Sequence, residues 1–241
     1  MIQVKQFTKR YGNFTAVDNI SFEVKRGEVF AFLGPNGSGK TTTLKAIVGL
    51  NIPTTGQILI DGIDINERPK EAKRIVSYLP QRVIFPENLT AREVIRFYGT
   101  IRGLSRESAD AALEGARFNG FSDKLVSEFS GGMVQRLGLA VVSMPDTPVL
   151  LLDEPTANLD PQGVKRFREF IQEQRTKGKT IIFSTHLLTE AEQLADRVGI
   201  FVGGKLVAQE SVANLQTTLV ANDTIEDMYL HYVESYQREE A

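Results

Sequence analysis

The segment Gly34-Pro-Asn-Gly-Ser-Gly39-Lys40-Thr41-Thr42 leaves this chain few folds to choose from. It fits the phosphate-binding pattern GxxxxGK[ST], which works only between a strand and a helix. The preceding run Glu28-Val-Phe-Ala-Phe-Leu33 is short and apolar, as a buried strand is, and Thr42 to Leu50 reads as a helix. Glycines let the backbone curl so that successive N–H groups face inward as an anion cup. The helix N-terminus adds free donors and partial positive charge at the same point. In a cup formed by Gly34, Pro35, Asn36, Gly37, Ser38, Gly39, Lys40, Thr41 and Thr42, Lys40 reaches the β- and γ-phosphates and the Thr41 hydroxyl is a ligand for Mg²⁺. A glycine-rich turn that matches by chance is the competing reading; the flanking strand and helix argue against it.

Along the rest of the chain, residues 2–7 and 18–24 alternate apolar and polar like half-buried strands, and Gln57 to Ile60 runs into an Asp61-Gly62 turn. Arg74 to Tyr78 reads as a further strand. From about Gln81 to Pro145 the character becomes helical, with helices expected at Thr90–Ile101 and Arg106–Phe118. Strand–helix alternation then resumes: Val149–Asp153, Thr180–Ser184 and Val198–Val202 suit a buried parallel sheet, with helices at Pro161–Gln174 and Leu187–Asp196 between them. Gly203-Gly204 leads into Lys205–Ala208 as a hairpin, and the tail from Asn222 has helical spacing. The resulting division is a core of residues 1–80 and 146–220, a helical unit of residues 81–145, and a helical tail of residues 221–241.

Composition excludes some functions. A net charge of −2 over 241 residues gives no nucleic-acid surface, so no nucleic-acid partner is expected. No apolar run is long enough to cross a bilayer, and Met1-Ile-Gln-Val-Lys-Gln is not a signal peptide. The absence of cysteine removes thiolate and disulfide chemistry and is compatible with the cytosol.

A phosphate cup alone names no reaction. Val149-Leu-Leu-Leu152-Asp153-Glu154 adds an apolar strand ending in carboxylates, the way P-loop enzymes present a Mg²⁺-associated Asp. Asp153 takes that role in this reading, and Glu154, pointing elsewhere, is placed to polarise water; a solvent-facing acidic pair is the alternative. Ser130-Gly131-Gly132 at a helix start offers a hydroxyl and N–H groups to an anion, although Ser130 is equally a plain N-cap.

Taken in order, these motifs resemble the ATP-binding subunit of an ABC transporter, and the resemblance covers nearly the whole chain. Gly34–Thr42 matches the Walker A loop, Phe129–Met133 the signature motif, and Val149–Asp153 the Walker B strand, with Glu154 as the implied general base. Gln81 matches the Q-loop glutamine, a ligand of Mg²⁺ or the attacking water; Ala157–Asp160 the D-loop; His186 the switch histidine; and Tyr11 the aromatic residue that stacks on adenine. Phe129, Met133 and Asn158 depart from the family's usual leucine, glutamine and serine or glycine. The resemblance implies an α/β P-loop NTPase core with a mixed sheet, an antiparallel β subdomain and a helical subdomain. It implies ATP and Mg²⁺ as cofactors, hydrolysis by Glu154, His186 and Gln81, and contacts from Ser130, Gly131 and Gly132 to the ATP of a second copy in a head-to-tail dimer. It further implies a separate transmembrane permease and a place on the inner face of the cell membrane.

The pattern is closest to ABC-2-type exporter subunits. A small-solute importer subunit and a soluble ABC ATPase are the alternatives, though no long coiled coil fits between Thr42 and Phe129, as the DNA-repair type requires. Val83, Ile84 and Phe85 stand where the family docks its membrane partner, and packing inside the helical unit is the competing reading.

Overall fold

The computed structural model describes residues 1–118, 120–157, 159–214 and 230. Asn158, His231 and almost all of the expected tail of residues 221–241 lie outside the described residues. Two sheets form the core. The first is antiparallel, in the order β2-β1-β4-β5, from β1 (Ile2–Tyr11), β2 (Phe14–Val24), β4 (Thr55–Ile60) and β5 (Ile63–Asp64). The second is mixed, in the order β10-β9-β3-β8-β7-β6. Its strands β3 (Val29–Leu33), β6 (Val76–Leu79), β7 (Val149–Leu152), β8 (Thr180–Thr185) and β9 (Arg197–Val202) are mutually parallel. β10 (Lys205–Ser211) returns antiparallel along the edge.

Burial explains the strand sequences. Every residue of β3, β7 and β8 is buried, so these strands carry continuous apolar runs rather than an alternation. One face of the mixed sheet packs on the antiparallel sheet through an aromatic junction. The ring centroids of Phe22 and Phe32 are 5.4 Å apart edge to face, and those of Phe32 and Phe201 are 4.7 Å apart. Such pairs add to the burial energy of the rings. The other face is covered by α6 (Pro161–Thr176) and α7 (Leu188–Leu194), where Phe167, Ile171 and Leu194 meet Phe183 and Leu150. The helices α3 (Ala91–Ile101), α4 (Arg106–Gly115) and α5 (Gly131–Ser143) share a third apolar cluster of their own, centred on Ile95, Phe118 and Leu137.

Several boundaries differ from the sequence expectation, each for a local reason. The helix after the glycine loop, α1, spans Lys40–Ile47; it starts earlier because Gly39 at φ 103° already ends the loop. Arg74 closes a short charged helix, α2 (Pro69–Arg74), opened by Pro69 at its first position, and the strand follows at Val76. α4 stops at Gly115, and Arg117 turns the chain at φ 55° so that Phe118 enters the helical cluster. β1 and β2 run longer than the alternation suggested. Register shifts, with Gln6 and Asn19 at positive φ, interrupt their pattern. α3 opens on a reciprocal cap between Thr90 and Glu93.

Candidate nucleotide site

The strand order gathers the motif residues. The glycine loop follows β3, His186 follows β8, Asp153 and Glu154 follow β7, and Gln81 lies just past β6. These four strands are adjacent and parallel, so residues far apart in sequence emerge along one carboxyl edge, the binding edge of such sheets.

Two positions of the loop leave no room for a side chain. A Cβ on Gly34 would lie 2.2 Å from the Phe201 carbonyl oxygen, and one on Gly39 would lie 2.9 Å from that of Ala16. Lys40 is buried at 4% exposure, and its Nζ donates to the carbonyls of Gly34 at 2.6 Å and Pro35 at 2.9 Å. Burial lowers its pKa, while Glu154 and then Asp153 oppose that shift and favour the charged form. Ser38 is also buried, and its Oγ has no hydrogen-bond partner. A buried hydroxyl without a partner, in the same glycine loop as a buried ammonium, suits a phosphate-bearing ligand.

The acidic pair is held by Thr41 of the loop and by two groups that the motif reading passed over, Ser184 and Tyr78. Asp153 is 1% exposed. Its Oδ1 accepts from Thr41 Oγ1 at 2.9 Å and from Ser184 Oγ at 2.7 Å, and its Oδ2 accepts from the Tyr78 hydroxyl at 3.2 Å. Burial, and then the Asp153 charge, push the Tyr78 hydroxyl far above its ordinary pKa, so it stays a donor. The Glu154 N–H donates to Ser184 Oγ at 2.8 Å. One serine thus fixes both acids. The Thr41–Asp153 pair is an all-oxygen set of the kind that holds Mg²⁺ alongside phosphate oxygens. Among the described residues no group of three or more His, Cys, Asp and Glu is arranged as a metal cage.

Glu154 sits at φ 42°, a left-handed conformation costly for a residue with a side chain, of order 1–3 kcal/mol. Its carboxylate lies among three predicted partners. Gln81 Nε2 donates to Oε2 at 3.2 Å, His186 Nδ1 lies 3.7 Å from the same oxygen, and Lys40 Nζ lies 3.9 Å from Oε1. The His186 loop is anchored from below: Thr185 Oγ1 donates to the buried Glu190 at 2.9 Å and accepts the Leu187 N–H at 3.0 Å.

The remaining candidates stand apart from this cluster. Ser130 caps α5, its Oγ accepting the Met133 N–H at 3.3 Å. Ser130, Gly131 and Gly132 line a cleft among α4, α5 and α6 that no residue of the glycine loop lines. Gln135 ties α5 to the acidic strand by donating to the Pro155 carbonyl at 2.9 Å. Tyr11 ends β1 half-exposed, with the Lys9 ammonium 5.0 Å from its ring centroid. Of the three apolar residues after Gln81, Phe85 is buried in the helical cluster, Val83 packs against it, and only Ile84 stands out at 69% exposure.

The sequence profile of the family described as "ABC transporter" matches residues 17–157, from β2 through the Asp-Glu pair. The chain belongs to the ABC transporter ATP-binding family. A profile for an AAA domain, described as a putative AbiEii toxin of a type IV TA system, matches only residues 125–191. The chain is 35% identical over 248 residues to the Escherichia coli K12 "Probable multidrug ABC transporter ATP-binding protein YbhF", an alignment that takes in 99% of this chain and 43% of that protein. It is 38% identical to the Burkholderia lata "Nod factor export ATP-binding protein I", over 93% of this chain and 75% of that one. A solved dimeric, post-hydrolysis ATP-binding cassette, MJ0796 bound to ADP and Pi, superposes with a TM-score of 0.81 at 26% identity, covering 88% of this chain and 99% of that one. The fold is therefore the ABC ATPase form of the P-loop NTPase fold, and the site is an ATP-binding one.

The Asp153–Ser184–Glu154 linkage gives an expected result. Ser184→Ala removes a donor to Asp153 and strands the buried Glu154 N–H, a cost of about 1–3 kcal/mol. The melting temperature should fall by roughly 3–10 °C. ATP turnover should fall further than ATP affinity. A thermal melt, with turnover and binding measured on the same sample, checks both.

Proposed function

We propose that this chain hydrolyses ATP and drives a separate membrane permease, as the ATPase subunit of an ABC-2-type exporter. The observation that carries the reading is the convergence of Lys40, Gln81, Asp153, Glu154 and His186 on one sheet edge. Lys40 and the loop N–H groups hold the phosphates, Tyr11 stacks on adenine, and Thr41 and Asp153, with Gln81, hold Mg²⁺. Mg²⁺ held there would supply positive charge against the negative charge that develops on the phosphates. Glu154 takes a proton from the attacking water while Gln81 and His186 hold the water and the γ-phosphate. The water oxygen bonds to the γ-phosphorus, the bond to the β–γ bridging oxygen breaks, and ADP and phosphate leave.

The separation of Ser130, Gly131 and Gly132 from the glycine loop supports a head-to-tail dimer, in which these residues complete the site of a second copy. The dimeric cassette of similar fold supports it too. ATP then closes the pair, and loss of the γ-phosphate opens it. The division proposed for this motion is a core of residues 1–80 and 146–220 with a helical unit of residues 81–145. Among the described residues no helix is long and apolar enough to cross a membrane; we assign the crossing to a separate permease, with this subunit peripheral on the inner membrane face. Ile84 is the exposed apolar residue offered to it. The export direction is supported by the Nod factor export relative.

Affinity purification from gently solubilised membranes of the native cell tests the reading. A stoichiometric polytopic protein is the expected partner. A wholly soluble pool bound to soluble partners refutes the transport role and leaves the ATPase intact.

A further inference from the structure

The cleft among α4, α5 and α6 has a volume of about 720 Å³, within the range of small-molecule sites. The small residues Ala112 and Gly115 of α4, with Ala116 just after it, line one side, and a Cβ on Gly115 would meet no atom within 4 Å. Its floor is apolar, from Leu139, Met144, Phe167 and Phe170.

The cleft's charges do not balance internally. Its acids are already engaged: Glu169 lies 4.0 Å from Arg117, Glu173 lies 2.6 Å from Lys177, and Asp160 caps α6 by accepting the Gly163 N–H at 2.7 Å. That leaves Arg136 and Arg166 in the cleft with no carboxylate in ion-pair range among the described residues. Arg136 is held over the Phe118 ring at 4.3 Å, and its Nε has no hydrogen-bond partner. Burial, and then the Arg166 charge, hold its guanidinium below its usual pKa. Gln174 is 97% buried, since only 3% of it is exposed, yet its Oε1 also has no partner. Two like charges and an orphaned donor above an aromatic floor suit an anion with an apolar body, and the Gln174 carbonyl can accept only from a donor group on that body.

We infer that this cleft binds an amphipathic organic anion, with an acidic head between Arg136 and Arg166 and an alkyl or aryl body on Phe167 and Phe170. An inorganic anion would leave the apolar floor wet, and a neutral apolar molecule would leave both arginines uncompensated. A ligand seated there touches α4 and α5 on one wall and α6 on the other. It therefore bridges the helix that begins at Ser130 to the helix that follows the acidic pair. Nothing in this inference requires ATP hydrolysis or a permease.

Anilinonaphthalene sulfonate supplies both a sulfonate head and an aryl body and serves as the probe. Titrated into the full chain, it should saturate at one site per chain, persist in saturating ADP, and be displaced by decanoate. Arg166→Gln changes an exposed side chain and should raise the dissociation constant about tenfold or more, as the loss of one charge-assisted contact predicts. Ala112→Phe, which fills the cleft, should abolish binding. ADP affinity and the melting temperature, followed in parallel, show that both variants are folded. Displacement of the probe by ADP puts it in the nucleotide site and overturns the proposal. Binding that does not saturate, or that is indifferent to Arg166→Gln, overturns it equally.

Discussion

Glu154→Gln should bind ATP with undiminished affinity and lose at least about a hundredfold in turnover, the usual contribution of a general base. Glutamine keeps the length and shape of the side chain, so the left-handed backbone at φ 42° and the N–H bond to Ser184 are unchanged. The carbonyl of the new amide can still accept from Gln81, now 3.2 Å from the carboxylate. What disappears is a group able to take the proton of the attacking water. Affinity survives because Glu154 is an anion 3.9 Å from Lys40, on the side where the γ-phosphate would sit. Removing its charge relieves repulsion with the phosphates and frees the ammonium. With chemistry stopped and binding intact, the closed dimer should accumulate in ATP and Mg²⁺. Phosphate release and light scattering on one preparation read the two effects. Phosphate release at the unmodified rate would falsify the role of Glu154, whatever the oligomeric state.

The parts of this site legible in the sequence are those whose geometry is local. The glycine loop declares itself because the cup, the ammonium and the helix N-terminus come from consecutive residues. Asp153 and Glu154 announce themselves by ending an apolar strand. What sets their geometry is not local. Ser184 and Tyr78 contact Asp153 across sequence separations of 31 and 75 residues, and only the strand order β8-β7-β6 makes them neighbours. The available hint was a hydroxyl one residue before the end of each strand, at Ser184 in Ile-Ile-Phe-Ser-Thr and at Tyr78 in Val-Ser-Tyr-Leu; without the strand order, either reads as a strand fading into a loop.

The same logic governs the fold. β3, β7 and β8 were legible because burial on both faces makes them uniformly apolar. α2 was missed because its six residues, mostly charged, bury only Ala72 and leave little periodicity. Phe85 shows the limit from the other side. An apolar residue in a loop reads equally as a docking surface or as core, and only the aromatic contact with Tyr98, at 5.8 Å between ring centroids, puts it in the core.

Lys40→Ala should lower ATP affinity by about 30- to 1000-fold, equivalent to the ~2–4 kcal/mol lost when one partner of a buried charge pair is truncated. Lys40 is 4% exposed and stands between the loop carbonyls and the acids Asp153 and Glu154. Its removal has two consequences with the same sign. The phosphates lose a desolvated cation that backbone N–H groups cannot replace. The two buried carboxylates lose their nearest compensating charge, so they repel the incoming phosphates more strongly. Lys40→Arg separates charge from shape. It restores the cation, but the planar guanidinium is too broad to repeat contacts of 2.6 and 2.9 Å to two adjacent carbonyls, and Arg cannot act as a compact point charge. Affinity should therefore stay well below that of the lysine protein in both variants, with Arg the less impaired. Calorimetric titration with ATP and Mg²⁺, accompanied by a thermal melt to show that each variant is folded, decides the matter. Near-normal affinity in Lys40→Ala contradicts the phosphate assignment of the loop itself. Full recovery in Lys40→Arg keeps that assignment but makes charge alone, rather than the fit of one ammonium between two carbonyls, the source of binding.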